Sequence, residues 1–169
     1  RIFGNLTSSR ILVIGTGEVG EKTVKALKSR GARSISVSSQ TYNNAETLAK
    51  KIAGQAIVFE DFQNALSNFD IIVGSTASLE IIISSSMVKA AMHERPNQPM
   101  FLIDLAVPRD IETEVSDIPN VFLYNLDDLA EIANENLNSR IAEIDCCRQI
   151  LQERAARLWS GLEYNEITH

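Results

Sequence analysis

A short apolar run that stops at a cluster of three glycines constrains the fold of this chain more than any other feature. Arg10–Ile14 (RILVI) has the pattern of a strand buried on both faces. Residues 18–30 have helical spacing, with Gly31 beyond them as a C-cap. Between the two lies a G-x-G-x-x-G turn at residues 15–20. A strand that turns directly into a helix predicts the start of a β-α-β unit, whose strands run parallel.

The same alternation of strand and helix continues over the first three quarters of the chain. Further strands are predicted at 34–38, 56–59, 70–73, 100–104 and 121–124, and further helices at 43–53, 62–66 and 84–95. Gly54 is expected to close the second helix. The connections are too long for hairpins, so helices should cover both faces of the sheet. We therefore expect an α/β fold over residues 1–125, with a doubly wound, mostly parallel six-stranded sheet of the Rossmann type.

The last quarter of the chain has a different pattern. From Leu126 onwards apolar residues recur about every 3.6 positions, with no proline or glycine before Gly161. This spacing predicts one long helix over 126–169, capped by Asn125 or Asp127. The predicted apolar ridge comprises Leu129, Ala133, Leu137, Ile141, Ile144, Cys147, Leu151, Ala155, Leu158 and Leu162, with Trp159 beside it. Such a stripe indicates a partner surface, and we expect a homodimer through this helix.

Charge and composition exclude several classes of protein. Residues 1–126 hold 12 basic and 13 acidic groups and residues 127–169 hold 4 and 9, so there is no bulk basic surface for nucleic acid. No apolar run approaches the roughly 20 residues of a membrane span. The adjacent cysteines Cys146 and Cys147 suit neither a disulfide nor a metal pair, and they favour a reduced, cytoplasmic protein. Because it begins at Arg1 rather than Met, the chain is interpreted as a piece of a longer protein.

The glycine turn predicts a dinucleotide site. Gly15 permits the tight turn, Gly17 lets the backbone approach a pyrophosphate, and Gly20 lets the helix pack close to the sheet. The free N–H groups of the first helical turn then face the anion. The alternative is a glycine turn that binds nothing. The candidate binding residues in this motif are Gly15, Thr16, Gly17, Glu18, Val19 and Gly20.

Three other strand ends should meet the same ligand. After the second strand, Ser38, Ser39, Gln40 and Thr41 are neither acidic nor basic, so no carboxylate excludes the 2′-phosphate of NADP. After the fourth, the small residues Ser75, Thr76 and Ala77 leave room for ribose and nicotinamide. Either segment could instead be an ordinary polar turn.

The fifth strand ends in a loop that carries the remaining candidate contact. Val107 lies in this loop, and Arg109 lies between Asp104 and Asp110, which would also suit a local salt-bridged turn. Neither His93 nor His169 is placed as a catalytic residue, and no catalytic or metal-binding residue is predicted.

These motifs together resemble a known family. The segments at 11–21, 37–41, 70–78, 101–115 and 120–140 resemble the NADPH-binding domain of glutamyl-tRNA reductases. The resemblance runs from about residue 5 to 162, and its most specific part is 102–140. A weaker similarity is to the cofactor domain of shikimate dehydrogenases.

The resemblance implies a particular activity and particular partners. Such enzymes reduce glutamate esterified to its tRNA to glutamate-1-semialdehyde, the entry to tetrapyrrole (porphyrin and heme) biosynthesis. A cysteine of a separate N-terminal domain attacks the ester, and a hydride from NADPH reduces the resulting thioester. That domain would bring glutamyl-tRNA, the long spinal helix would lead to a dimerisation domain, and an aminomutase would take the product. This chain lacks the nucleophile, so we expect it to be inactive alone.

One departure from the family bears on the cofactor. The family's Asn-Arg-Thr after strand two corresponds to Ser39, Gln40 and Thr41, so the arginine for the 2′-phosphate is absent. Selectivity for NADP over NAD is therefore open. Two other hypotheses also remain open, namely a shikimate-dehydrogenase-like cofactor domain and a non-enzymatic nucleotide-binding module.

Overall fold

A computed structural model describes residues 6–166 of this chain, with side chains up to residue 154. The chain divides into two compact units, Arg1–Leu126 and Asp127–His169. The first unit holds the sheet and its helices, and the second is helical.

The first unit contains a six-stranded sheet whose strands are all parallel. Its strand order is β3-β2-β1-β4-β5-β6, which confirms the predicted doubly wound fold. The strands are β1 (Arg10–Ile14), β2 (Ser34–Ser39), β3 (Gln55–Val58), β4 (Ile71–Gly74), β5 (Met100–Asp104) and β6 (Val121–Asn125). The helices are α1 (Glu18–Ser29), α2 (Tyr42–Lys51), α3 (Phe62–Ala65), α4 (Ser85–Glu94) and α5 (Leu126–Glu166), with 3₁₀ turns at Leu66–Asn68 and Thr113–Asp117.

The central strand β1 has its carboxyl end level with those of its two neighbours. Ile14 pairs with Ser38 of β2 on one side and with Gly74 of β4 on the other. Because the chain order reverses between β1 and β4, this edge is the topological switch point, where α/β sheets bind ligands.

The core lies on both faces of the sheet. Along β1, Leu12 and Ile14 belong to one apolar cluster and Ile11 and Val13 to the other, and all four are fully buried. Alternate residues of a strand point to opposite faces, so a strand covered by helices on both sides must be apolar throughout. This burial is the physical reason why the apolar run at 10–14 could be interpreted as a strand.

The end of α2 differs from its prediction. Gly54 was expected to supply the left-handed conformation, but Ala53 adopts it with φ +51°. Gly54 is needed for packing instead, since a Cβ there would lie 2.4 Å from the carbonyl oxygen of Ile35. At the end of α1, Gly31 does have a positive φ, +90°, as predicted.

An ion-pair network at the amino end of β4 was not foreseen. The Asp70 carboxylate accepts from Arg10 Nη2 at 3.0 Å and from Arg95 Nη2 at 2.7 Å. Arg95 is buried and also donates to the carbonyl oxygens of Ser67, Phe69 and Pro99. Arg95 was predicted only as the last residue of a helix. In the structure its side chain links the end of α4 to the start of β4.

The second unit is the long helix that the periodicity predicts. The 41 residues of α5 span about 60 Å at 1.5 Å per residue. It begins at Leu126, so Asp127 lies inside it and is not its cap, while Asn125 directly precedes it. The large apolar side chains described as exposed on it are Leu126, Leu137, Ile141, Ile144, Ile150 and Leu151. The side chains of Ala155, Leu158, Trp159 and Leu162, predicted for this ridge, lie outside those described.

Both cysteines of the chain lie on α5. Cys146 and Cys147 are exposed and form no disulfide. In the described part of the chain, no helix combines the length and the hydropathy that a membrane span requires.

Candidate functional site

A cleft of about 430 Å³ opens at the carboxyl edge of β1, β2 and β4. This is the edge at which the switch point predicts a ligand. It is lined by Gly15, Thr16, Gly17, Glu18, Val19, Ser39, Gln40, Phe59, Ser75, Thr76, Ala77 and Ser78.

The three glycines of the turn have different surroundings. Gly15 has φ +108°, and a Cβ there would lie 2.6 Å from the carbonyl oxygen of Ser75. A Cβ at Gly20 would lie 2.2 Å from the carbonyl oxygen of Gly15. At Gly17 a Cβ would meet nothing within 4 Å, since this position faces open space at the cleft. Gly15 and Gly20 are therefore required by the turn itself, whereas Gly17 leaves room for a ligand to approach the backbone.

The start of α1 can bind an anion. The N-cap residue is Gly17, no side chain caps the helix, and the first helical hydrogen bond runs from Glu21 N–H to the Gly17 carbonyl at 2.9 Å. The preceding N–H groups of the first turn therefore have no partner within the helix. Such groups, together with the helix dipole, suit a pyrophosphate.

The end of β2 is neutral and polar. Thr16 Oγ1 donates to Ser39 Oγ at 3.2 Å, which ties the glycine turn to this strand end. Gln40 lines the cleft. Ser38 is fully buried below it, and its Oγ has no hydrogen-bond partner in the part of the chain that the structure describes. Thr41 lies at the N-cap of α2 and does not line the cleft.

The segment after β4 is held on two sides. Ser75 donates to the Ile14 carbonyl oxygen through its N–H at 2.9 Å and its hydroxyl at 3.0 Å. Thr76 donates to Asp110 through its N–H at 2.8 Å and its hydroxyl at 2.5 Å. Burial raises the pKa of Asp110, the hydrogen bonds from Thr76 oppose that rise, and the nearby Asp104 adds to it. The floor of the cleft is thus fixed to both halves of the sheet.

The loop after β5 is not the salt-bridged turn that its charges would also have suited. Arg109 is exposed and, among the described residues, forms no salt bridge. The buried Asp104 carboxylate instead accepts from the N–H groups of Ala106, Asp110 and Ile111 at 3.0–3.3 Å. Val107, predicted as a cofactor contact, is 80% exposed and does not line the cleft.

The structure therefore brings most of the predicted residues together. The predicted residues that do not line the cleft are Gly20, Ser38, Thr41 and Val107. Ser78, which ends the small-residue segment after β4, lines it as well. Phe59 lines it and was missed, although it could have been found because it directly follows β3 at the same edge. No group of three possible metal ligands occurs among the described His, Cys, Asp and Glu side chains. That the lining residues bind a dinucleotide remains a prediction.

The chain is similar to known proteins over nearly all its length. A family model described as shikimate / quinate 5-dehydrogenase matches residues 1–132. The glutamyl-tRNA reductase of Geobacter sulfurreducens is 37% identical over 168 residues, which are 99% of this chain and 39% of that protein. That of Syntrophus aciditrophicus is 40% identical over 153 residues, covering 90% of this chain and 36% of that protein. The chain thus spans about two fifths of the length of these relatives.

Solved structures show the same similarity. The glutamyl-tRNA reductase of Methanopyrus kandleri superposes with a TM-score of 0.78 at 34% identity, over 95% of this chain and 41% of that one. The nucleotide-binding domain of the enzyme from Thermoplasma volcanium superposes with a TM-score of 0.60 at 21% identity, over 78% and 85%, which supports the fold alone.

Proposed function

The chain belongs to the family described by the shikimate / quinate 5-dehydrogenase model, and from this premise we propose that it is the NADPH-binding domain of a glutamyl-tRNA reductase. The observation that carries the proposal is the extent of the similarity. The family model ends at residue 132, within α5, whereas the relative from Geobacter sulfurreducens matches 99% of the chain. The long helix is therefore shared with the reductases, which favours them over a shikimate-dehydrogenase-like cofactor domain.

The residues of the cleft fit this cofactor. The open position at Gly17 and the first turn of α1 would hold the pyrophosphate, and Ser39 and Gln40, which line the cleft at the β2 end, would border the adenosine ribose. The Thr76 segment would border the nicotinamide. Bound NADPH supplies a hydride, which in this proposal reduces an enzyme-bound glutamyl thioester to glutamate-1-semialdehyde. This chain's part is to bind and orient the cofactor, and the nucleophile comes from another domain.

The partners follow from the same proposal. Glutamyl-tRNA would be recognised outside this chain, and the product would pass to an aminomutase. Cys146 and Cys147 are exposed on α5, away from the cleft-lining residues in the sequence, and take no part in the chemistry. Exposed adjacent thiols also support a cytoplasmic location, where they stay reduced.

A domain exchange tests the function. We expect that the Geobacter sulfurreducens reductase, with its own matching segment replaced by this chain, oxidises NADPH only when glutamyl-tRNA is present. The same chimera carrying Gly17→Leu should be inactive. A folded chimera that binds NADPH but never reduces the substrate would favour a non-enzymatic nucleotide-binding module.

The residue at the end of β2 bears on cofactor selectivity. With the neutral Gln40 at the β2 end, wild-type preference for NADP(H) over NAD(H) should be modest. Gln40→Arg should strengthen NADP(H) binding by about 1.5–3 kcal/mol, because a guanidinium forms charge-assisted hydrogen bonds with the 2′-phosphate. Calorimetric titration with both cofactors measures the effect, and Gln40→Met is the uncharged control. A thousandfold preference for NADP(H) in the wild type would contradict this prediction.

The proposal includes a homodimer through α5. The exposed Ile144 and Leu151 lie seven residues apart, about two turns, and so on one side of the helix. We expect sedimentation to show a concentration-dependent dimer that Ile144→Glu plus Leu151→Glu removes. Ala142→Glu plus Gln149→Glu adds the same charge on the other side and should leave the dimer intact. Equal loss in both double variants would argue against a specific apolar interface.

A further inference from the structure

A second, smaller pocket adjoins the cofactor cleft. It has a volume of about 270 Å³ and is lined by residues of the glycine turn, α1 and α2, namely Thr16, Glu21, Asn44, Thr47, Leu48 and Lys51. Thr16 lines both the cleft and this pocket, and its hydroxyl is bonded to Ser39 at the β2 end. The pocket is therefore next to the place where the adenosine ribose of a dinucleotide binds.

The pocket contains a positive charge that the β2 end lacks. Lys51 Nζ lies 3.7 Å from Glu21 Oε1, and the same oxygen is 3.1 Å from Lys25 Nζ. Among the lining residues Lys51 is the cation and Glu21 the anion, and Lys25, which lies outside the lining, also pairs with Glu21, so the three groups together carry a net charge of +1. The side chains of Lys51 and Glu21 are 59% and 37% exposed. Such an exposed pair is weak, so Lys51 can turn to an anionic ligand at little cost.

The polar groups around Lys51 suit an oxyanion. Asn44 is exposed and lines the pocket, and its side-chain amide can donate two hydrogen bonds. The Thr47 hydroxyl donates to the Asn43 carbonyl oxygen at 2.7 Å, so it does not add a donor. Glu21 is the one acidic group in the pocket lining, and it opposes anion binding.

We propose that this pocket binds the 2′-phosphate of NADP(H), with Lys51 as the counter-charge and Asn44 as a hydrogen-bond donor; the inference rests on the proposed function. The phosphate is attached to the adenosine ribose, which the dinucleotide fold places at the β2 end. Gln40 at that end is neutral. Arg33, another basic residue near β2 in the sequence, does not line this pocket.

Calorimetric titration of the whole chain with NADPH and with NADH tests the assignment. Lys51→Ala should weaken NADPH binding about tenfold and leave NADH binding unchanged, because NADH has no 2′-phosphate. Glu21→Gln should tighten NADPH binding about threefold, again without affecting NADH. Lys50→Ala is the matched control, since Lys50 pairs with Glu46 at 3.2 Å and does not line this pocket. It should change neither affinity.

The outcomes separate the inference from the function on which it rests. If the wild-type chain binds neither cofactor, the proposed function fails. If it binds NADPH and Lys51→Ala leaves that affinity unchanged, or weakens NADH equally, the assignment of Lys51 is overturned. The melting temperature of each variant without ligand shows that it is folded, and the opposite effect expected of Glu21→Gln gives an independent measure of the charge in this pocket.

Discussion

We expect Gly17→Leu to abolish NADP(H) binding while leaving the free protein as stable as the wild type. A side chain at Gly17 meets no protein atom within 4 Å, and the residue has an ordinary extended backbone with φ −68° and ψ −175°. The added leucine would occupy the space through which a pyrophosphate reaches the first turn of α1. In the wild type, ligand at 100 times its dissociation constant should add about 2.7 kcal/mol to the free energy of unfolding. The variant should gain nothing.

Gly20→Ala is the informative counterpart. Its Cβ would lie 2.2 Å from the Gly15 carbonyl oxygen, so the turn must move and the variant should lose about 2–4 kcal/mol of stability. Thermal melts with and without NADPH measure both variants. A Gly17→Leu protein that still shows the full ligand-induced shift would mean that the pyrophosphate does not bind at this turn.

The ion pair between Asp70 and Arg95 should contribute strongly to the free energy of unfolding. Asp70→Asn should destabilise the protein by about 2–4 kcal/mol, because it leaves the buried guanidinium of Arg95 without its counter-charge. The side chain of Arg95 is 3% exposed and keeps only neutral carbonyl acceptors in the variant. Chemical denaturation measures the loss. Asp117→Asn, an exposed aspartate, is the control and should change stability by less than about 0.5 kcal/mol.

The same carboxylate should make stability depend on acid. Burial tends to raise the pKa of Asp70, but hydrogen bonds from Arg10 and Arg95 outweigh it and lower the pKa to about 2, from 3.8. A lowered pKa stabilises the folded state above pH 4, and this contribution is lost as the pH falls from about 4 to 2. With allowance for partial exposure, we expect a loss of about 1–2 kcal/mol. Asp70→Asn should lack this acid-dependent step, and an identical step in both proteins would contradict its assignment to Asp70.

The parts of the fold that were predictable from sequence depend on local patterns. A strand buried on both faces must be apolar at every position, so the run at 10–14 could be identified directly. Gly31 ends a helix in the left-handed conformation for which glycine is the preferred residue. The end of α2 was misjudged because Gly54 is required by the close approach of Ile35, a strand neighbour that helical spacing cannot reveal.

In the candidate site too, local sequence patterns were predictable, whereas contacts between distant segments were not. The glycine turn and the small residues after β4 were identified because each follows a strand at the switch-point edge. Val107, which was predicted as a cofactor contact, does not line the cleft, and the path of its loop depends on three backbone N–H groups bonded to the buried Asp104. Arg95 could not be recognised as buried, since its carbonyl acceptors come from segments that only the folded chain brings together.

The attachment of Ser75 to the carbonyl oxygen of Ile14 has a thermodynamic consequence. Two hydrogen bonds join these residues, and Gly15 packs against Ser75 with no room for a Cβ. The backbone beneath a bound dinucleotide is therefore already ordered before the ligand arrives. A preorganised surface of this kind avoids most of the conformational entropy cost of ligand binding. Affinity at this edge should consequently depend on the contacts that each ligand group makes, with little offset from ordering the backbone beneath the ligand.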